Sequence, residues 1–241
     1  VSPSEIRKCG CRDCCNMQFN NFPPGAASVG YGPPVSVTYI DHSGSSSNPS
    51  NPVTLSGVSL GTATTYRWIV LILHWEQNSG TAGIDSITLG GQSPDHQIDS
   101  LNGDMGTVIA AFSYPTGTTA NIVVDFTNTD VGRMEVGRWN ITKDKPLDLY
   151  ASDTDNTLGT ATITASPFCP AGSVCIAGAT SEWSMSSYTG LATEDYSDSI
   201  AGDVSTHAKG SSEAFTVSET PSITAQRSGG GSITIAAASF R

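Results

Sequence analysis

Residues 64–76 (TTYRWIVLILHWE) carry apolar side chains on both alternating faces. Tyr66, Trp68, Val70, Ile72 and His74 share one face; Ile69, Leu71, Leu73 and Trp75 share the other. Successive residues of a strand point to opposite sides, so this segment is expected to be a strand covered on both faces. Its β-branched and aromatic content favours a strand over a helix. Residues 119–127 show the half-buried pattern. Ala120, Ile122, Val124 and Phe126 point in, Asn121, Asp125 and Thr127 point out, and Val123 is the exception.

Further short strands are expected at 84–89, 107–113, 134–141, 160–165, 174–178, 214–217 and 232–240. Turn signals such as Gly90-Gly91 and Pro115-Thr116-Gly117 separate them. Short, evenly spaced strands without helical periodicity predict an all-β, antiparallel, jelly-roll-like β-sandwich. Residues 181–212 are polar and weakly patterned, which predicts a surface excursion with one helical turn. No internal repeat is legible.

The first 52 residues read differently. They hold seven of the thirteen prolines, which fix φ and remove a backbone donor. Only 35–40 alternates well enough to pair as a strand, and SGSSSNPSN at 43–51 reads as a flexible linker. The expected organisation is a proline-rich, cysteine-containing extended arm and linker over 1–52, followed by a β-sandwich domain over 53–241.

Charge narrows the partners. The net charge is −11, which disfavours binding to phosphate backbones. Arg7, Lys8 and Arg12 give the chain a basic tip, while the residues after Cys15 hold eight basic and twenty acidic side chains. The longest apolar run, 68–73, is too short to span a bilayer, and the first residues have no apolar signal core. Neither a nucleic acid nor a membrane is expected as a partner.

Six cysteines leave three readings open: disulfides, a metal site and free thiols. Cys9, Cys11, Cys14 and Cys15 lie within seven residues, and their pairing is undetermined. Cys11-x-x-Cys14 has the spacing of a zinc knuckle, but the second knuckle is missing. Cys169 and Cys175 flank a Pro-Ala-Gly turn, where a local disulfide is easy to close. Asp153 and Asp155, after Asp148, sit in a loop-like run with oxygen ligands suited to structural calcium, as does the run 194–198. The EF-hand spacing is absent, and an Asp/Asn turn explains the first run equally well. No cofactor is expected beyond such a structural calcium or zinc ion.

No catalytic constellation emerges. His42, His74, His96 and His207 have no neighbours at metal-ligand spacing, and no G-x-S-x-G elbow presents a nucleophile. Glu76, Glu135, Glu182 and Glu194 are the carboxylates available for glycoside hydrolysis, with Glu76 beside Trp75. Gly229-Gly230-Gly231 reads as a turn into a strand rather than a phosphate loop. Asn140-Ile141-Thr142 matches a glycosylation sequon but lies in an expected strand. The protein is expected to be non-enzymatic.

Arg67–His74, Ile87-Thr-Leu-Gly-Gly91, residues 107–112, residues 115–125 and the closing Ala236–Phe240 together resemble the jelly-roll virion proteins of tailed bacteriophages and gene-transfer particles. The resemblance covers about three quarters of the chain, from 67 to 241, and defines no functional residues. It implies a virion protein of the capsid-decoration, head-spike or tail-attachment type. Its partners would be other virion proteins and copies of itself, in a homo-oligomer assembled in the host cytoplasm. The alternative reading is a lectin-like carbohydrate-binding or receptor-binding module. Trp183, Tyr188 and Trp75, with Trp139, are the candidate stacking rings for host surface glycans.

Overall fold

Every residue of Arg67–Gln77 is buried except the half-buried Glu76. This strand therefore lies between layers, as its two apolar faces predict. The computed structural model of the protein describes residues 35–45, 49–78, 83–127, 131–142, 148–158, 162–200 and 206–241. The described residues form sixteen strands and no α-helix.

The first eight strands are β1 (Ser36–Ser45), β2 (Val53–Ser59), β3 (Arg67–Gln77), β4 (Ile84–Leu89), β5 (His96–Asn102), β6 (Met105–Ser113), β7 (Thr119–Phe126) and β8 (Val131–Thr142). They make a five-stranded antiparallel sheet in the order β1-β8-β3-β6-β5 and a three-stranded sheet β2-β7-β4. The order 1-8-3-6 against 2-7-4 is that of a jelly roll, with the fifth strand extending the larger sheet.

The next eight are β9 (Leu149–Leu158), β10 (Thr162–Ala165), β11 (Val174–Glu182), β12 (Met185–Thr189), β13 (Thr193–Ser199), β14 (Thr206–Ala214), β15 (Ile223–Arg227) and β16 (Ser232–Phe240). Their sheets run β9-β16-β11-β14-β13 and β10-β15-β12. Adding eight to each strand of the first roll reproduces the second. The expected sandwich is present twice, as two tandem jelly rolls with one topology.

The four sheets stack in layers, outer-inner-inner-outer. Ile69, Leu71, Leu73 and Trp75 face the outer sheet of the first roll, against Ile87, Leu89, Ile122, Val124 and Phe126. Val70, Ile72, Ile109, Trp139 and Ile141 face the inner sheet of the second roll, against Val174, Ile176, Ala208, Ala236 and Ala238. A third core fills the second roll with Ala177, Ala179, Ile233, Ile235, Ile163, Ile223 and Ala225. The contact between rolls is uneven. β3 packs on its counterpart β11, while β5 packs along β9 and β6 on β16. On the opposite side β1 meets β14 and reaches β13 through His42 and Asp198.

Three expectations change. The region 181–212 is not an excursion with a helical turn: it contains the end of β11 and all of β12, β13 and most of β14. Of its strands β12 and β13 are sheet edges, and only a few inward side chains such as Tyr196 and Ala208 stand among polar ones, which is why alternation is faint. The strand expected at 35–40 is β1, which pairs along β8 as far as Ser45. The jelly-roll body therefore begins ahead of position 52. The strand expected at 214–217 is absent: β14 ends at Ala214, and Val217 is exposed.

Candidate functional site

The two rolls meet around a buried polar chain. His74, on the inner face of β3, bonds through Nδ1 to Thr180 Oγ1 at 2.8 Å and through Nε2 to the Tyr196 hydroxyl. Thr180 donates onward to the Gly106 carbonyl at 3.1 Å. Its oxygen therefore accepts the His74 Nδ1 proton, and Nε2 accepts the Tyr196 proton. Thr107 continues the chain, 2.6 Å from Thr180 Oγ1 and 2.8 Å from Thr234 Oγ1. Burial, and then the nearby His42, push the His74 pKa down to about 3, so it is neutral at ordinary pH. Burial likewise pushes the Tyr196 phenol well up. His74 is thus a satisfied structural histidine.

Tyr196 leads outward to a cluster at the sandwich edge. A bulge in β1 between Tyr39 and Asp41 shifts the register against β8. It lets Tyr39 and His42, an odd number of residues apart, share the inner face. There Tyr39 Oη lies 2.6 Å from His42 Nδ1. The His42 ring stacks on Tyr196, with centroids 5.1 Å apart. His42 Nε2 points at two carboxylates: Asp198 Oδ2 of β13 at 3.3 Å and Glu135 Oε1 of β8 at 3.7 Å. Glu135 is 2 % exposed. Beside this cluster, Asp195 Oδ2 accepts bonds from Trp139 Nε1 at 2.8 Å and Ser212 Oγ at 2.7 Å, and burial pushes its carboxyl up.

Asp153 and Asp155, expected in a loop, lie on one face of strand β9. Each binds backbone with both oxygens. Asp153 accepts from the N–H groups of Thr154 and Ser166, and Asp155 from those of Asn156 and Thr164. They fasten β10 to β9. Cys169 and Cys175 are both buried free thiols, with Cys169 Sγ donating to the Pro167 carbonyl at 3.6 Å, and the bridge expected between them is not formed in this structure. Burial pushes the Cys175 thiol well up. Cys9, Cys11, Cys14 and Cys15 lie outside the described residues.

Of the expected stacking rings, Trp75 and Trp139 are fully buried. Tyr188 packs on the third core and bonds to Ser211 Oγ at 2.8 Å. Trp183 is 55 % exposed and sits at φ +70°, in the left-handed region uncommon for a residue with a side chain. His96 stacks on Trp68. Glu76 pairs with Arg133 and Thr206, Glu194 with Lys209, and Glu182 accepts the Ser232 N–H. Asn140 of the sequon is held inside β8, where its side chain donates to the Thr62 carbonyl. The structure thus joins His42 and Glu135 with Asp198, which the sequence had separated into unrelated candidates.

Family models, curated proteins and solved structures give no match to this chain. The fold itself defines the class: an all-β protein of packed antiparallel sheets. No helix among the described residues is long and apolar enough to cross a membrane.

Proposed function

We propose that the chain is a non-catalytic structural protein of a virion, which displays the paired jelly rolls on the particle and docks through its N-terminal arm. The observation that carries this reading is the use of several of the candidate polar groups as fasteners: His74, Glu76, Glu182, Asp153 and Asp155 all hold strands or sheets together. A second support is the arrangement of edges. Among the described residues the outer-sheet edge strands β2, β4 and β12 are each paired with a strand on one side only, which suits pairing with copies or with other particle proteins. The basic, cysteine-bearing tip and the acidic body would then meet different neighbours.

The arm's role is tested by adding the purified chain to particles that lack it. The chain with Arg7, Lys8 and Arg12 changed to Glu should bind less, with its melting unchanged. Equal binding by both chains would remove the docking role of the arm.

A receptor-binding role remains as a second reading, favoured by one residue. Trp183 is the exposed member of the expected sugar-stacking set, and a ring fixed by its backbone is a suitable glycan platform. Loss of a glycan-array signal in Trp183→Ala would support it, and a silent array for the unaltered chain would end it.

A further inference from the structure

His42, Glu135 and Asp198 come from three strands and from both jelly rolls, and their donor atoms all lie within 4.8 Å of one another. We propose that they bind one divalent transition-metal cation of the zinc class, which clasps the first roll to the second. The inference rests on this geometry alone and is independent of any role in a particle.

Distance comes first. A tetrahedral cation about 2.1 Å from each nitrogen or oxygen donor holds those donors roughly 3.4 Å apart. His42 Nε2 lies 3.3 Å from Asp198 Oδ2 and 3.7 Å from Glu135 Oε1. A small movement of the half-exposed Asp198 side chain brings the set to ligand spacing.

Donor chemistry selects the metal. One imidazole and two carboxylates suit Zn²⁺ and its first-row neighbours. Calcium takes six to eight oxygens and magnesium keeps most of its water, so neither matches a set led by a ring nitrogen.

The surroundings fit as well. A ligating histidine donates its other ring N–H to a partner that fixes the ring. His42 Nδ1 has such a partner in Tyr39 Oη at 2.6 Å, and the ring is held flat against Tyr196. Glu135 supplies a carboxylate fixed inside the fold. The His42 and Asp198 side chains are 32 % and 51 % exposed, which leaves a path from solvent and room for water in the fourth position.

The competing occupant is a proton on His42, which would make ion pairs with the same carboxylates. The test therefore runs at pH 7.5. It uses the full chain with Cys9, Cys11, Cys14 and Cys15 changed to Ser, so that their thiolates do not compete. Zn²⁺ is titrated by calorimetry and the melting temperature is followed in parallel. One Zn²⁺ per chain and a raised melting temperature are expected. Asp198→Asn, which removes a half-exposed carboxylate and should fold normally, should weaken binding tenfold or more. Tyr39→Phe should weaken it about 10- to 100-fold. Absence of binding in the parent chain, or equal affinity in Asp198→Asn, would overturn the proposal.

Discussion

Ile72 of the first roll occupies the space that a side chain on Gly178 of the second would need. A Cβ built on Gly178 would lie 2.6 Å from Ile72 Cγ2 and 3.1 Å from His74 Cε1. Gly210 of the second roll makes the same allowance for Trp139 of the first, and Gly137 of the first for Tyr196 of the second. Large residues on one inner sheet are thus received by small ones on the other, and the two sheets approach closely as a result. Gly178→Val should cost about 1–3 kcal/mol by overpacking, read from chemical denaturation. An unchanged midpoint would mean that the rolls are not packed as described.

Arg67 is fully buried and ends the loops of its own roll. Its guanidinium donates to the backbone carbonyls of Leu60, Gly61, Tyr114, Thr116 and Gly117. Removing it leaves several buried carbonyls without donors, each costing about 1–3 kcal/mol. Arg67→Met should therefore lose at least about 3 kcal/mol by urea denaturation. Arg67→Lys should recover only part of that, because one ammonium cannot span five acceptors. Full stability in Arg67→Lys would refute this role.

The buried His74 makes a signed prediction about pH. Its folded pKa is lowered to about 3 from an ordinary 6.5, so between these values the unfolded chain binds the proton and the folded one does not. Stability should rise with pH across that window, by up to about 1.4 kcal/mol per pH unit from this group. Asp195, whose carboxyl is pushed up by burial, acts in the opposite direction above its ordinary value of 3.8. The comparison of the parent chain with His74→Gln isolates the histidine: the variant should show a shallower dependence. Parallel curves would exclude His74 as the source.

Asp153 and Asp155 act as backbone clamps, and that role separates them from a calcium site. Asp153→Ala frees the Ser166 N–H from its 2.7 Å bond and should cost about 1–2 kcal/mol. Millimolar Ca²⁺ should leave the melting temperature of the parent chain unchanged. A calcium-dependent rise that disappears in Asp153→Ala would restore the metal reading of this strand.

The legible and illegible parts of the fold follow from which residues fill the cores. β3, β4, β7 and β16 stand out in the sequence because Ile, Val, Leu and aromatic residues mark their faces. β9, β13 and β14 do not, because their inner positions hold Ala, Gly, Ser or isolated aromatics. The duplication is hidden for the same reason. β3 reads RWIVLILHWEQ and its counterpart β11 reads VCIAGATSE, so one topology is built with large side chains in the first roll and small ones in the second. The site is hidden differently. His42 and Asp198 are 156 residues apart, and the bulge after Tyr39 puts His42 on the inner face, where strict alternation would have turned it outward. No local spacing rule connects them. The buried His74 was legible as structural, because it sits between Leu73 and Trp75 in an otherwise apolar strand.

The most direct test of the proposed role is the copy number of this chain in purified particles from its source, measured by quantitative mass spectrometry. A structural virion protein should be present at a fixed stoichiometry, from a handful of copies at a tail or spike to hundreds on a shell. Absence from every particle fraction would contradict the account.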